Sequence, residues 1–207
     1  MRNFLLITAL VVLSFHAHAR VAKVLGTIIS KGQSNDVMFE IKLAASMPGE
    51  PNFEQLQHKI KYYDESGKKQ TLGPEDADEI RFRYGGEEIR MISCANTPDT
   101  EAFFSSSTRI FLKLQIDGPL RLYQFYAKQG TAPNYPGGTG MTYMAYSFIF
   151  QKGNGPLKQP VNLGFKKDML EYFSDCPALR ERIESKDLWK EDMEAMTTYY
   201  NQKCIAK

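Results

Sequence analysis

The hydrophobic period of this chain changes once, at Gly164, and that change bounds the folds open to it. Before it, Ile80, Phe82 and Tyr84 alternate with Arg81 and Arg83, and Ile110, Leu112, Leu114 and Ile116 alternate with Phe111, Lys113 and Gln115. A period of two is that of a strand with one buried face. Turn pairs stand between such runs at Lys31-Gly32, Ser66-Gly67, Gly85-Gly86, Asp117-Gly118-Pro119 and Gly153-Asn154-Gly155-Pro156. Hairpins use such residues because glycine and asparagine tolerate positive φ and proline cannot extend a ladder. The spacing predicts strands over about 21–30, 36–43, 58–64, 69–73, 79–84, 87–94, 109–117, 120–127, 142–151 and 157–161.

After Gly164 the period becomes helical. Phe165, Met169, Tyr172 and Phe173 recur on one face, and Asp175-Cys176-Pro177 reads as a cap and first turn, where proline needs no hydrogen-bond donor. Trp189, Met193, Met196 and Tyr200 predict a longer helix from about Asp187 to Lys203, with Lys190, Glu191 and Glu194 in water and the apolar stripe docked on the sheet. The fold class expected is therefore α+β: an antiparallel β-meander sheet or open barrel followed by a C-terminal helical segment. Residues 20–163 are its β-rich portion and 164–207 the helical portion of the same domain.

Residues 1–19 are a separate matter. A basic Arg2, an apolar run from Phe4 to Phe15, and small residues Ala17 and Ala19 around His18 are the three parts of a cleavable export signal, with cleavage between Ala19 and Arg20. The run is shorter than the ~20 residues needed to span a bilayer, and no later segment approaches that length. The expected location is the periplasm or the exterior, with no transmembrane segment after signal removal. Cleavage leaves 25 basic against 24 acidic residues, a net charge of +1, with the two signs interspersed. A nucleic-acid partner calls for a basic face, so none is expected. An unknown protein or cell-envelope component is.

Three cysteines follow the leader: Cys94, Cys176 and Cys204. Three pairings are possible, and an oxidising compartment lets two thiols join. Cys176 with Cys204 is favoured, because a hairpin of helices brings the two ends of the C-terminal segment together. Cys94, in the strand-like run Ile89–Cys94, is left as a buried thiol.

His58 is the only histidine beyond the leader, which excludes zinc sites built on two or three imidazoles. The sharpest enzymatic reading is a hydrolase or acyl-transfer enzyme in which His58 activates Cys94, or one using dispersed carboxylates. Adjacent acids such as Glu87-Glu88 point to opposite faces of a strand. Asp76-Ala77-Asp78 lacks the glycine of a calcium loop, and Gly137-Gly138-Thr139-Gly140 lacks the lysine of a phosphate loop. No cofactor is expected. Two segments read as loops, Ala44–Asn52 and Gly130–Gly140, and Tyr135 in the second is flanked by Tyr123, Tyr126, Tyr143 and Tyr146, rings suited to contact with sugar, peptide or protein.

Several short runs carry a resemblance: Gly26-Thr27-Ile28-Ile29, Lys59-Ile60-Lys61-Tyr62-Tyr63, Pro74-Glu75-Asp76 leading to Ile80 and Phe82, Leu122-Tyr123, and the ending from Phe173-Ser174-Asp175-Cys176-Pro177 through Tyr200-Asn201-Gln202-Lys203-Cys204. In these the chain resembles a broad group of small exported proteins of unknown function, frequent in Bacteroidetes-type bacteria. The resemblance implies an exported α+β domain with a Cys176–Cys204 bridge and brings no catalytic residues; the long loop around Gly137 and the unpaired Cys94 depart from it. The expectation for function is an exported, non-enzymatic interaction or binding module whose contact surface is the 126–143 loop and its tyrosines. The enzymatic reading and a carrier of a small apolar ligand, held in a cavity under the helices, stand as alternatives.

Overall fold

The computed structural model describes residues 21–44, 49–96, 108–130 and 142–205. The elements are β1 (Val21–Ser30), β2 (Gln33–Lys42), α1 (Phe53–Leu56), β3 (Ile60–Tyr63), β4 (Lys69–Leu72), β5 (Glu79–Tyr84), β6 (Glu87–Ala95), β7 (Arg109–Ile116), β8 (Leu120–Gly130), β9 (Thr142–Lys152), β10 (Leu157–Lys158), α2 (Phe165–Tyr172), α3 (Pro177–Glu184) and α4 (Met193–Lys203). The ten strands form one open antiparallel sheet in the order β4-β3-β2-β1-β5-β6-β7-β8-β9-β10, followed by the helices. The expected α+β class with hairpin-connected strands is thus what the chain adopts.

One connection, from β4 to β5, does not join neighbouring strands. β5 returns past β4, β3 and β2 to pair with β1, in the register Gly26↔Phe82 to Ile29↔Glu79. Gly26 makes that approach possible, because a Cβ there would lie 2.3 Å from the Arg81 carbonyl oxygen and 2.7 Å from the Phe39 ring. The first turn is tighter than the sequence suggested. Lys31 (φ 50°) and Gly32 (φ 76°) both occupy the left-handed region, so β2 starts at Gln33 rather than 36.

The inner face of the sheet carries the cores. Ile28, Phe39, Ile41, Ile60, Leu72, Ile80, Phe82, Ile89, Met91 and Phe111 form one cluster with Phe53 and Leu56 of α1. Flat, the six strand spacings from β3 to β8 would cover roughly 29 Å. Gln57 nevertheless hydrogen-bonds β8 and lies three residues before β3, a distance of at most about 10 Å of chain. The sheet must therefore curl, and α1 stands inside the curl. Asn52 caps that short helix by accepting from the Gln55 N–H at 3.1 Å.

The second inner cluster lies under the C-terminal helices. Leu120, Leu122 and Phe150 of the sheet meet Phe165, Met169, Phe173, Leu179, Ile183, Met193, Met196 and Tyr200. Full burial of each large side chain here contributes about 1.5–3 kcal/mol. The expected helix over 187–203 is shorter than the apolar stripe implied and begins at Met193. Asp192 turns back to accept the Trp189 N–H at 2.8 Å, so the chain bends before the helix starts.

Cys176 and Cys204 are disulfide-bonded, tying the start of α3 to the end of α4 as expected. Next to the bridge, Asp175 accepts from Tyr200 Oη at 2.5 Å and Lys152 Nζ at 2.6 Å. The Lys152 ammonium also sits 4.7 Å from the Tyr172 ring centroid and 5.0 Å from that of Tyr200. One lysine thereby pins β9 to two helices through charge and ring faces together.

The outer face is built differently along its length. Glu79 is gripped by Arg81 and Arg90, each with Nε 2.6 Å from Oε1, and Arg90 reaches on to Asp117 at 2.8 Å. Farther along, Cys94, Ile110, Leu112, Tyr123, Phe125, Ile149 and Leu157 form a third buried cluster.

Candidate functional site

The inner face is covered by α1 over one stretch and by α2–α4 over another, and the candidate site is the open cleft beside α1. On β8, Leu120 and Leu122 lie beneath the C-terminal helices, while Tyr126 belongs to the α1 core. Gln124 comes between them, and register places it opposite Lys113 of β7. Side chains two apart on a strand share a face, so Lys113, Gln124 and Tyr126 form one floor with Tyr84, Glu87 and Ile89. The Gly49–Pro51 loop and Phe53 make the wall of a cleft of about 420 Å³.

The chemistry of this cleft is mixed by design of the strand pattern. Phe53 and Tyr126 stack with ring centroids 4.8 Å apart, and Tyr126 continues to Tyr146 of β9 at 5.8 Å. Lys113 Nζ lies 4.7 Å from the Phe53 ring centroid. Tyr126 Oη donates to Gln124 Oε1 at 2.7 Å. Burial raises the Tyr126 phenol pKa, and the nearby Glu50, Tyr146 and Glu87 raise it further, so the hydroxyl keeps its proton. The cleft thus gathers an amide, an ammonium and two carboxylates against the Phe53–Tyr126 stack within one small volume.

Of the five tyrosines singled out from the sequence, the four that are described do not share a surface. Tyr123 is fully buried in the outer cluster, with its hydroxyl donating to Gln151 Oε1 at 2.9 Å. Tyr126 is 6% exposed, whereas Tyr143 and Tyr146 are 46% and 54% exposed. Tyr143 hydrogen-bonds Gln129 across the β8–β9 ladder. Tyr135, like the Ala19–Arg20 junction, lies outside the described residues. Strand periodicity explains the scatter: Tyr123 and Tyr126 are an odd number of positions apart and must point oppositely.

Cys94 occupies the outer cluster beside Ile110 and Tyr123. Burial pushes its thiol up to about 11, against the weaker opposing influence of a hydrogen bond with Tyr123 and of Arg109 and Arg121. That is the reverse of thiolate activation. Its strand neighbour Ser93 is paired with Phe111 and points to the inner face, so Cys94 points away from it. His58 follows α1, whose Phe53 and Leu56 pack in the inner cluster. Groups of three or more histidine, cysteine or carboxylate side chains arranged to hold a metal do not occur among the described residues.

Sequence reasoning missed Lys113, Gln124, Glu50 and α1 itself. A signal for α1 was present in Asn52-Phe53-Glu54-Gln55-Leu56, an N-cap followed by apolar residues three apart. No family model, curated protein or solved structure matches the chain.

Proposed function

We propose that the protein is an exported, non-enzymatic binding module and that the cleft over Lys113, Gln124 and Tyr126 holds a saccharide unit of the cell envelope. The cleft carries this reading. Sugars present C–H faces that pack on aromatic rings and hydroxyls that need donors and acceptors together, and the cleft sets the partly exposed Tyr84 ring beside an amide, an ammonium and carboxylates. Export accords with the signal-like leader and with the Cys176–Cys204 bridge, which belongs to an oxidising compartment. Among the described residues no helix is long and apolar enough to cross a membrane.

The test is calorimetric titration with two sets of oligosaccharides, N-acetylhexosamine oligomers and neutral hexose oligomers, against the native protein and the Gln124→Leu and Tyr126→Phe variants. Saturable binding to one set, weakened at least tenfold in both variants while each remains cooperatively folded, is the expected result. Binding to neither set, or binding indifferent to both substitutions, overturns the proposal. Chain cleavage of an added oligosaccharide would replace it with the enzymatic reading.

A further inference from the structure

A second concavity lies on the helical layer, far along the chain from the cleft residues. It measures about 550 Å³ and is floored by Phe165, Leu170 and Trp189. Its titratable lining residues among those described are both lysines, Lys166 and Lys167. A third, Lys186, places its ammonium 5.8 Å from the Trp189 ring centroid. Of the carboxylates of the adjoining turn, Asp187 binds Arg182 at 2.6 Å and Asp192 accepts the Trp189 N–H, while Glu191 is exposed, 3.8 Å from Lys190. Lys166 is held in place by donating to the Glu184 carbonyl at 3.0 Å.

Beside this groove the chain exposes what a folded protein normally hides. Leu163 is 94% exposed and Val161 51%, on the segment that leads through Gly164 into α2. A molecule small enough to fill the groove would leave Leu163 standing outside it. A planar apolar medium would cover both.

We infer that the Val161–Leu163 tip and the Trp189 groove dock this protein on an anionic phospholipid surface. The tip enters the acyl boundary, Trp189 takes the interfacial depth that indole favours, and Lys166, Lys167 and Lys186 meet the phosphates. Aliphatic insertion with a basic rim needs both signals, since neither a few lysines nor two aliphatic side chains hold a protein at a membrane alone. This site is separate from the saccharide cleft, and the two proposals stand or fall independently.

Trp189 is the only tryptophan in the chain, so its emission reports the site directly. The processed chain beginning at Arg20, with its disulfide formed, is mixed with vesicles of phosphatidylglycerol and phosphatidylcholine, or of phosphatidylcholine alone, then sedimented. Expected are a blue-shifted Trp189 emission and co-sedimentation with the anionic vesicles only. Lys166→Glu with Lys167→Glu, and separately Val161→Ser with Leu163→Ser, should each lower partitioning at least tenfold while leaving the melting temperature unchanged. Absence of partitioning, or equal partitioning into both vesicle types, overturns the inference. So does a Trp189 shift with monomeric laurate without vesicle binding, which marks a single-chain pocket, or a lipid-free shift that grows with protein concentration, which marks self-association.

Discussion

The side-chain amide of Gln57 takes the place of a strand for Tyr126: its Nε2 donates to the Tyr126 carbonyl at 2.9 Å and its Oε1 accepts the Tyr126 N–H at 2.5 Å. The Gln57 carbonyl meanwhile accepts the Phe111 N–H at 3.0 Å. β7 and β8 pair only from Lys113↔Gln124 to Ile116↔Leu122, with a register shift after Leu114, and Gln57 fills the opening where the ladder ends. Asn201 does the same at the start of β8, bonding the Leu120 N–H and carbonyl at 2.8 Å each. Two amides, one just past α1 and one in α4, thus complete one strand.

Gln57→Leu leaves a buried N–H and a buried carbonyl of Tyr126 without partners. Each orphaned group costs about 1–3 kcal/mol, so the variant should lose roughly 2–6 kcal/mol in urea unfolding. Gln57→Glu keeps the acceptor but loses the donor and brings a charge into a buried site; it too should unfold at lower urea than the native protein. A native midpoint in Gln57→Leu would mean that the amide is not holding β8.

Gly118 (φ 151°) faces the second clamp, and a Cβ there would lie 2.7 Å from Asn201 Nδ2. Gly118→Ala should therefore destabilise the protein by about 1–3 kcal/mol, through backbone strain and displacement of Asn201. In the Asn201→Ala background the collision is gone and part of that cost should vanish, giving a non-additive double-mutant cycle.

Replacing both Cys176 and Cys204 by serine opens a loop with a sequence separation of 28. The chain-entropy model assigns such a loop about 3–4 kcal/mol, to be read as a lower urea midpoint for the variant. Cys94, in contrast, should resist a thiol reagent in the native protein and react once in denaturant. Rapid labelling without denaturant would contradict its burial and its thiol pKa of about 11.

The Asp175–Tyr200 contact makes stability depend on pH at both ends. Burial alone would raise the Asp175 carboxyl, but the hydrogen bonds from Lys152 and Tyr200 outweigh it and hold the pKa below the ordinary value. A depressed carboxyl contributes stability above its unfolded pKa of about 4 and loses it as pH falls through the folded value. Tyr200 shifts upward, by burial first and then by its bond to Asp175, so its contribution is complete below about pH 10 and fades as pH rises further. The melting temperature of Asp175→Asn, compared with the native protein, should differ most between these limits, with the gap narrowing below pH 4.

Strand positions were legible because alternation such as Ile80-Arg81-Phe82-Arg83 follows from one buried face, and turn pairs mark where it stops. The Cys176–Cys204 bridge was legible for a similar reason, both cysteines lying in one helical hairpin. What escaped was non-local. Nothing near Gly26 announces that its partner will be Phe82, and nothing near Gln124 announces that Lys113 and Glu50 will share its cleft, because the curl of the sheet brings them together. Tyrosines chosen by their closeness in sequence were divided between the two faces by strand parity. Trp189 was read into a helix because its spacing from Met193 is helical, while the Asp192 turn interrupts the helix between them.

The return of β5 to β1 also divides the molecule into two zippers. Strands β1 to β4 each pair with a neighbour in sequence, as do β5 to β10, so either set can close as it is threaded out, and only the four-position ladder from Gly26↔Phe82 to Ile29↔Glu79 stitches one to the other within the sheet. That seam waits for residues fifty or more positions downstream, which makes it the natural slow step of assembly. A chain nicked between Leu72 and Glu79 should accordingly still yield two pieces able to find each other, with β1 offering its unpaired edge as the template.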